Sequence, residues 1–332
     1  MNILGIETSC DETSASIISD GQLIANVVYT QDIHKKYGGV VPEIASQQHL
    51  NEIIDVIDSA LEKSKLHKKD LNGIAVTYGP GLMGSLLIGI NFVKAMSLSL
   101  NIPFLGVNHL EGHLYSNYIE NDTISFPNVC LLVSGGHTQV WLIKTYTDFE
   151  LIGETTDDAA GEAFDKGARI LGLNYPGGPE IDNLSKKGNY NFHQFPRPKI
   201  KNSPYSFSFS GLKTSLLYYK QKINKLDFDK NIHHIASSYQ EAILDCLFNA
   251  LENITKNYTD VHDFYISGGV AANSRIRVKA KLFEEKFNKR IILPKLEYCT
   301  DNAAMIAMAS YQKMLNGQKS DYDLAPNPNL KL

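Results

Sequence analysis

Two regions of the sequence begin in the same way. Asn2–Glu7 reads as an apolar strand that leads through a polar loop into a hairpin, whose turn contains Asp20 and Gly21, residue types that accept a positive φ. A second apolar strand, Val129–Val133, again leads through a polar loop into a further strand, Gln139–Ile143. Elsewhere, short apolar strands alternate with helical stretches, as is typical of α/β proteins. The pattern predicts two related α/β lobes with a cleft between them.

The length of the chain fits two such lobes. It has 332 residues, about twice a typical domain, and 43% of them are hydrophobic, which is enough for sizeable cores. We expect an N-terminal α/β lobe at 1–125 and a C-terminal α/β lobe with nucleotide-binding loops at 126–332. A last helix at 301–315 would be able to pack back on the first lobe.

Apolar residues recur at helical spacing after Pro42, a residue that suits the first turn of a helix. They are Leu50, Ile53, Ile54, Ile57 and Leu61. Further helices are predicted at Leu82–Leu100, Asp158–Leu171, Ile232–Lys256, Ser274–Phe287 and Asp301–Leu315. Further short strands are predicted at Gly73–Tyr78, Ile102–Val107 and Phe264–Ile266.

Composition excludes several classes of protein. No apolar run was found of the ~18 residues that a membrane span needs, and no basic segment precedes the first apolar run as it would in a signal peptide. The 4 Cys are scattered, without the close pairs of a zinc ribbon or a redox motif. We therefore expect a cytoplasmic protein with no membrane partner.

Three polar loops follow apolar strands and are candidates to hold phosphate. Thr8–Ser14 offers hydroxyls and carboxylates, although a plain polar turn has the same composition. Ser-Gly-Gly follows an apolar strand at Ser134–Gly136 and again at Ser267–Gly269, where a ligand can sit against the backbone. Taken singly, either glycine pair is equally consistent with a tight turn. Asn273 is either the N-cap of the next helix or a ligand contact.

The glycine pattern argues against the common nucleotide-binding motifs. Gly79–Ser85 is rich in glycine, but the Lys of a Walker A loop is missing. No G-x-G-x-x-G follows the first strand, which argues against a dinucleotide-binding fold.

His109 and His113 are four residues apart, so on a helix they share one face and can bind one metal ion. Glu111 lies two residues from each, which fits neither H-E-x-x-H nor H-x-x-E-H and disfavours a zincin-type protease. Two His are too few for a metal site, and Asp301, at the start of the last helix, is the candidate third ligand. By spacing alone, a His pair on a helix surface remains the simpler interpretation.

Positive charge is concentrated in the range 186–225. This stretch has nine Lys and Arg and no Asp or Glu, so the rest of the chain has a net charge of −13 against −4 for the whole. The basic residues are Lys186, Lys187, Arg197, Lys199, Lys201, Lys213, Lys220, Lys222 and Lys225. Aromatic residues are interleaved at Tyr190, Phe192, Phe195, Tyr205, Phe207 and Phe209. Charge beside stacking surfaces predicts RNA binding, and a solvated loop whose aromatics pack inward is the alternative.

Four motifs, read together, resemble one family. They are Glu7–Thr13 (ETSCDET), His109–His113 (HLEGH), Val133–Thr138 (VSGGHT) and Ser267–Asn273 (SGGVAAN). The chain resembles the tRNA N6-adenosine threonylcarbamoyltransferase family (TsaD, formerly misnamed O-sialoglycoprotein endopeptidase), of the bacterial type. The resemblance implies an actin-like, Hsp70-like and sugar-kinase-like fold with a duplicated RNase H-like core. It also implies transfer of threonylcarbamoyl from threonylcarbamoyl-AMP to the exocyclic amine of the adenosine 3′ of the anticodon, in tRNAs that read codons starting with A.

The resemblance also implies roles for individual residues. His109, His113 and Asp301 would bind one divalent metal ion per subunit, Fe²⁺ or Zn²⁺. The adenylate would be bound by Leu132, Val133, Ser134, Gly135, Gly136, Asp165, Gly178, Asp182 and Asn273. Asp11 or Glu12 is a hypothetical base for the attacking amine. The implied partners are tRNA, a paralogous non-catalytic TsaB-like protein and a TsaE-like ATPase, with the adenylate supplied by a TsaC-type synthase.

Two other functions fit the same fold. A small-molecule kinase would use ATP and Mg²⁺ and would not need the paired His. A non-catalytic nucleotide-binding subunit would need neither the His pair nor Asp301.

Overall fold

The structure is a computed structural model that describes residues 1–121 and 123–332. The chain divides into two compact units, Met1–Ile124 with Thr300–Leu332 and Ser125–Cys299. The strands are β1 Asn2–Glu7, β2 Glu12–Ser19, β3 Gln22–Thr30, β4 Gly73–Gly79, β5 Phe104–Asn108, β6 Asn128–Val133, β7 Thr138–Thr145, β8 Asp148–Glu154, β9 Asp263–Ser267 and β10 Arg290–Ile292. The helices are α1 Pro42–Ser64, α2 Met83–Leu100, α3 His109–Tyr115, α4 Ala160–Leu171, α5 Gly177–Ser185, α6 Ser210–Lys222, α7 Lys225–Asn257, α8 Ser274–Phe287 and α9 Ala303–Leu315.

The first unit is built on a five-stranded sheet in the order β3-β2-β1-β4-β5. Its first three strands form an antiparallel meander, while β4 and β5 are parallel to β1. The predicted hairpin is confirmed, with φ of 47° at Asp20 and 84° at Gly21 in the turn. A buried cluster that includes Ile53, Ile57 and Leu86 packs α1 and α2 on this sheet.

The second unit repeats this topology. Its sheet runs β8-β7-β6-β9-β10, with an antiparallel meander β6-β7-β8 and two strands parallel to β6. The strand that opens each unit is therefore central, with a hairpin on one side and parallel strands on the other. The predicted pair of related α/β units is confirmed.

Helix α9 belongs to the first unit, although the chain reaches it only after the second unit is complete. It packs on β1 and β2, and residues 303–307 are fully buried. The backbone N–H of Ala303 donates to Ser14 Oγ at 2.9 Å, which ties the start of the helix to β2. This contact holds the segment that carries Asp301 beside the loop between β1 and β2.

Four of the described elements have weak sequence patterns and were not predicted. Strands β8 and β10 are sheet edges, and β10 has only three residues. Helix α5 lies in a segment for which no helix was predicted. Helix α6 lies in the basic stretch and buries only Leu212 and Leu216, too few to give a helical pattern. Helix α7 begins at Lys225 rather than Ile232, because the Asn224 side chain caps it by accepting from Asp227 N–H.

The helix predicted after Pro42 is confirmed as α1, whereas one expectation about α2 was wrong. Leu50 and Ile54 lie on the outer side of α1, with 62% and 54% of their surface exposed, since the sheet takes the face with Ile53 and Ile57. Helix α2 has 18 residues and is long and apolar enough to cross a membrane by length and composition, contrary to the sequence analysis. One such helix is weak evidence of a span, and Leu86 of this helix is part of the core of the first unit.

Candidate active site

The His pair lies on a short buried helix of the first unit. Helix α3 follows β5 directly, and Asn108 caps it by accepting the Leu110 N–H on Oδ1 at 2.8 Å. All seven residues of the helix are buried. The predicted helical placement of His109 and His113 is confirmed, and the surface interpretation is wrong because only 8% and 1% of these two residues is exposed.

The structure brings Asp301 to both imidazoles. Its Oδ1 lies 3.1 Å from His113 Nε2 and 3.5 Å from His109 Nε2. One ligand atom from each of the three residues lies within 4.8 Å of the others, close enough to share one metal ion. As its spacing predicts, Glu111 is turned away and pairs with Lys313 Nζ at 2.6 Å.

The chemistry of these donors fits a divalent cation. Although Nε2 of His113 lies near Asp301, neither of its ring nitrogens makes a hydrogen bond within the described residues. A buried imidazole without a partner is costly, and a cation bound to Nε2 would satisfy one of its nitrogens. Two neutral imidazoles and one carboxylate leave coordination positions open for substrate or water.

Glu7, which the sequence analysis named only as part of a motif, orients His109. It ends β1 fully buried, and its Oε2 lies 3.1 Å from His109 Nδ1 and accepts from Thr77 Oγ1 at 2.5 Å. Its Oε1 accepts from Ser9 N–H at 2.5 Å. This arrangement directs His109 Nε2 toward Asp301, as in the carboxylate–histidine pairs of metal sites. A charged residue at the end of an otherwise apolar strand was the available signal.

Neighbouring charges decide the protonation of Glu7 and His109. Burial alone would raise the pKa of Glu7, but His109 outweighs burial and holds that pKa below its usual value. Burial alone would lower the pKa of His109, but Asp301 and Glu7 raise it to about 9. A cation that binds His109 Nε2 must therefore displace a proton at neutral pH.

The two residues considered as a base are Asp11, which ends the loop after β1, and Glu12, which begins β2. Burial, followed by the charges of Asp301 and Asp11, raises the pKa of Glu12 well above its usual value. Burial likewise raises the pKa of the Cys10 thiol, so this residue stays protonated and is a poor nucleophile. The carboxylate of Glu12 is therefore more basic than an ordinary carboxylate, which suits a proton acceptor.

We expect His113→Ala to reduce bound metal from about one ion per chain toward zero, because it removes one of only three protein ligands. Purified variants would be loaded with Zn²⁺, dialysed and analysed by mass spectrometry for metal content. His67→Ala, which changes an exposed His of the same unit, is the matched control and should keep its metal. Equal metal content in both variants would contradict this assignment.

In the second unit, the predicted glycine loops follow neighbouring parallel strands, β6 and β9. Leu132 and Val133 are fully buried, so neither exposes side-chain or backbone surface to a ligand. Gly135 and Gly136 are exposed, and a Cβ added to either would meet no atom within 4 Å. Their backbone is therefore open to a ligand.

Gly268 is required for the turn after β9. Its φ is +89°, and a Cβ at this position would lie 2.3 Å from the Val133 carbonyl oxygen. The two loops thus touch through backbone alone. Asn273 is the N-cap of α8, accepting from the N–H groups of Arg275 and Ile276, and its amide donates to Gln240 at 2.7 Å.

The two predicted substrate-binding carboxylates of this unit, Asp165 and Asp182, accept hydrogen bonds from the first residues of neighbouring helices. Asp165 of α4 accepts the Gly177 N–H at 2.7 Å, which fixes the start of α5 next to Gly178. Asp182 of α5 accepts from the backbone N–H and hydroxyl of Ser274 at 3.1 and 2.8 Å. Burial raises the pKa of Asp165. The predicted substrate residues therefore lie on elements that are joined to one another.

We expect Gly268→Ala to destabilise the second unit by about 2 kcal/mol or more, since a positive φ combined with an extended ψ costs about 1–3 kcal/mol in a non-glycine residue and the added Cβ also clashes. Gly269→Ala is the matched control, because its Cβ would meet nothing within 4 Å. Urea unfolding of the two variants measures the difference. Equal stability would show that the turn adapts.

The basic stretch only partly fits the sequence interpretation. Phe195, Phe207 and Phe209 are buried in the core of the second unit and offer no stacking surface, as in the alternative interpretation. Arg197 pairs with Asp245 at 2.8 Å. Other residues of the basic stretch are exposed. An open cavity of about 580 Å³ lies along α6. It is lined by His193, Ser210, Gly211, Lys213, Thr214, Ser215, Tyr218, Tyr219 and Lys222.

A family model described as tRNA N6-adenosine threonylcarbamoyltransferase (TsaD) matches residues 22–308. A curated relative of that name from Thermosipho africanus is 51% identical over 333 residues and covers 100% of both chains. Another from Fervidobacterium nodosum is 46% identical and covers 99% of this chain and 98% of the relative.

Solved structures confirm the fold class. The activator of 2-hydroxyisocaproyl-CoA dehydratase from Clostridium difficile, with bound ADPNP, has a TM-score of 0.54 at 15% identity and covers 97% of this chain and 99% of its own. HypF from T. kodakarensis has a TM-score of 0.63 at 16% identity over 95% of this chain and 47% of its own. At these identities the likeness shows the fold alone, which is the predicted actin-like, Hsp70-like and sugar-kinase-like α/β fold.

Proposed function

Because the chain belongs to the tRNA N6-adenosine threonylcarbamoyltransferase family, we propose that it modifies tRNA with threonylcarbamoyl-AMP as the donor. The acceptor is the exocyclic amine of the adenosine 3′ of the anticodon, in tRNAs that read codons starting with A, and AMP is released. The observation that carries this proposal is the buried cluster of His109, His113 and Asp301 in a chain matched over its full length by relatives of one activity.

His109, His113 and Asp301 would hold one Fe²⁺ or Zn²⁺ ion, since both metals accept imidazole and carboxylate ligands. Such an ion supplies Lewis acidity, which polarises a carbonyl or offsets charge on a phosphate. Glu7 keeps His109 in the tautomer that presents Nε2. The donor is already an activated mixed anhydride, so the chain needs to position the reactants and requires no nucleophilic Ser or Cys.

The adenylate would be bound by the second unit. Open backbone at Gly135 and Gly136, beside the N-terminal part of α4, suits phosphate. Asp165 and Asp182 are the candidates for hydrogen bonds to ribose hydroxyls, and the loops at Gly178 and Asn273 would border the adenosine.

Glu12 is the better supported of the two candidate bases. An amine that attacks a carbonyl must lose a proton, and burial, which raises the pKa of Glu12, makes its carboxylate more basic than an ordinary one. Asp11, its neighbour, contributes charge that raises that pKa and would orient the amine.

Partners and location follow from the family resemblance. We expect a paralogous TsaB-like partner, a TsaE-like ATPase and a TsaC-type synthase that supplies the adenylate, all in the cytoplasm. Leu50 and Ile54 on α1 and Leu98 on α2 are exposed apolar side chains, which suits a surface that meets another protein.

The kinase and the non-catalytic subunit are not favoured, because the curated relatives carry one enzyme name over their full length.

Depleting this protein from cells should remove threonylcarbamoyladenosine from tRNA, because no transfer to the adenosine would take place. Nucleoside mass spectrometry of total tRNA measures the modification. Re-expression of the unaltered chain should restore it, whereas His113→Ala should not and His67→Ala should. Retained threonylcarbamoyladenosine in depleted cells would refute the proposed function.

The α6 cavity is the part of the basic stretch best suited to tRNA. Lys213 and Lys222 line it and form no ion pair among the described residues, and Tyr218 beside them is 57% exposed. Two ammonium groups next to an exposed ring fit an RNA backbone with an unstacked base.

The double variant Lys213→Gln and Lys222→Gln should bind tRNA more weakly, and the slope of log affinity against log salt should fall by about 1.5, since each lost phosphate contact removes about 0.7–0.9. Filter binding at several salt concentrations measures both. Lys36→Gln with Lys69→Gln removes the same charge from exposed positions of the first unit and should change less. Identical curves for the two double variants would exclude this surface.

A further inference from the structure

The segment after α9 forms a strap, defined here as residues 320–332, which contains hydrogen-bonded turns at 321–324 and 327–330. From residue 323 onward, exposed residues alternate with half-buried ones, which are Leu324, Pro326, Pro328, Leu330 and Leu332. The two prolines favour extended backbone. An alternation of this kind indicates a segment that lies along a surface with one side turned inward.

The strap is anchored across β4 and β5. Ser320 N–H donates to the Phe104 carbonyl at 2.8 Å, and Asn327 N–H donates to the Tyr78 carbonyl at 2.8 Å. Tyr322 packs on Phe104, with ring centroids 5.4 Å apart. The chain passes so close to Gly79 that a Cβ there would lie 2.0 Å from the Asn327 carbonyl oxygen.

The end of the strap reaches the residue that caps the His-bearing helix. Asn108 donates from Nδ2 to the Lys331 carbonyl at 3.1 Å, while its Oδ1 accepts the Leu110 N–H. Both ends of this buried amide are therefore used. Because Asn108 directly precedes His109, the strap fixes the start of α3 where the first imidazole projects.

A second route runs from the strap to the same imidazole. Gly81 N–H donates to the Pro328 carbonyl at 3.2 Å, and the next residue, Leu82, donates its N–H to the Ser9 carbonyl at 2.8 Å. Ser9 Oγ lies 3.2 Å from His109 Nδ1. Residues 328 and 331 are thus linked to His109 by two separate routes of hydrogen bonds.

We propose that the strap is a positioning element for the metal site, which orients His109 through Asn108 and through the contact of Gly81 and Leu82 with Ser9. The inference rests on the metal site of the proposed function. Outer contacts of this kind typically change metal affinity by about 10–100-fold.

Helix α3 has supports that do not depend on the strap. Leu110 and Leu114 are buried, and Glu111 pairs with Lys313 of α9 at 2.6 Å. Loss of the last strap residues should therefore leave the helix in place and alter the direction of His109. A change in metal geometry without unfolding is the distinguishing result.

The test compares the intact chain with a variant that lacks residues 327–332. Zn²⁺ affinity would be measured by competition with a chelator, ligand geometry by the visible spectrum of bound Co²⁺, and folding by thermal unfolding of the metal-free protein. We expect affinity to fall by about 10-fold or more, with a changed Co²⁺ spectrum. Lys331→Ala keeps the backbone carbonyl and is the matched control, so its affinity and spectrum should equal those of the intact chain.

Asn108→Ser provides the test if the shortened chain does not fold. Serine still caps a helix but is too short to reach the Lys331 carbonyl, so affinity should again fall and the spectrum change. If the intact chain binds no metal, the metal site of the proposed function fails and the strap inference fails with it. If the intact chain binds metal and the variants bind it with equal affinity and spectrum, only the strap inference is overturned.

Discussion

The buried carboxylate of Glu7 is the interaction on which the candidate metal site depends. It joins three parts of the first unit, because it contacts Thr77 of β4, Ser9 of its own loop and His109 of α3. A fully buried carboxylate is costly unless it is paired and hydrogen-bonded, and here both oxygens have partners. One of these partners, His109, must also be oriented for metal binding. The same hydrogen bonds therefore stabilise the charge of Glu7 and orient the imidazole of His109.

The two units use one topology for different chemistry. In the first, the loop that follows the opening strand carries carboxylates and meets a His-bearing helix. In the second, the loop that follows the equivalent strand presents bare backbone at Gly135 and Gly136. Side-chain charge suits a metal ion and proton transfer, whereas backbone N–H groups suit an anion. The duplicated framework therefore fixes where loops occur, and the residues in those loops decide what they bind.

Much of this could be predicted from local sequence patterns. The hairpin at Asp20 and Gly21, the shared face of His109 and His113 and the cap at Asn273 all depend on neighbours within a few residues. The role of Glu7, the pairing of Arg197 with Asp245 and the burial of Phe207 depend on residues distant in sequence. Helix α6 was missed because it buries only two side chains. The strap was missed because it is not a strand of either sheet, and the alternation of its residues does not identify the surface on which it packs.

The position of α9 has a consequence for synthesis of the chain. Asp301 follows His113 by more than the length of the whole second unit, and the strap comes later still. A nascent chain that has emerged only as far as Cys299 therefore has the two imidazoles without their carboxylate. The proposed metal ion would therefore find its full set of three ligands only after the second unit has been synthesised, so the order of segments along the chain would place cofactor capture after the synthesis of that unit.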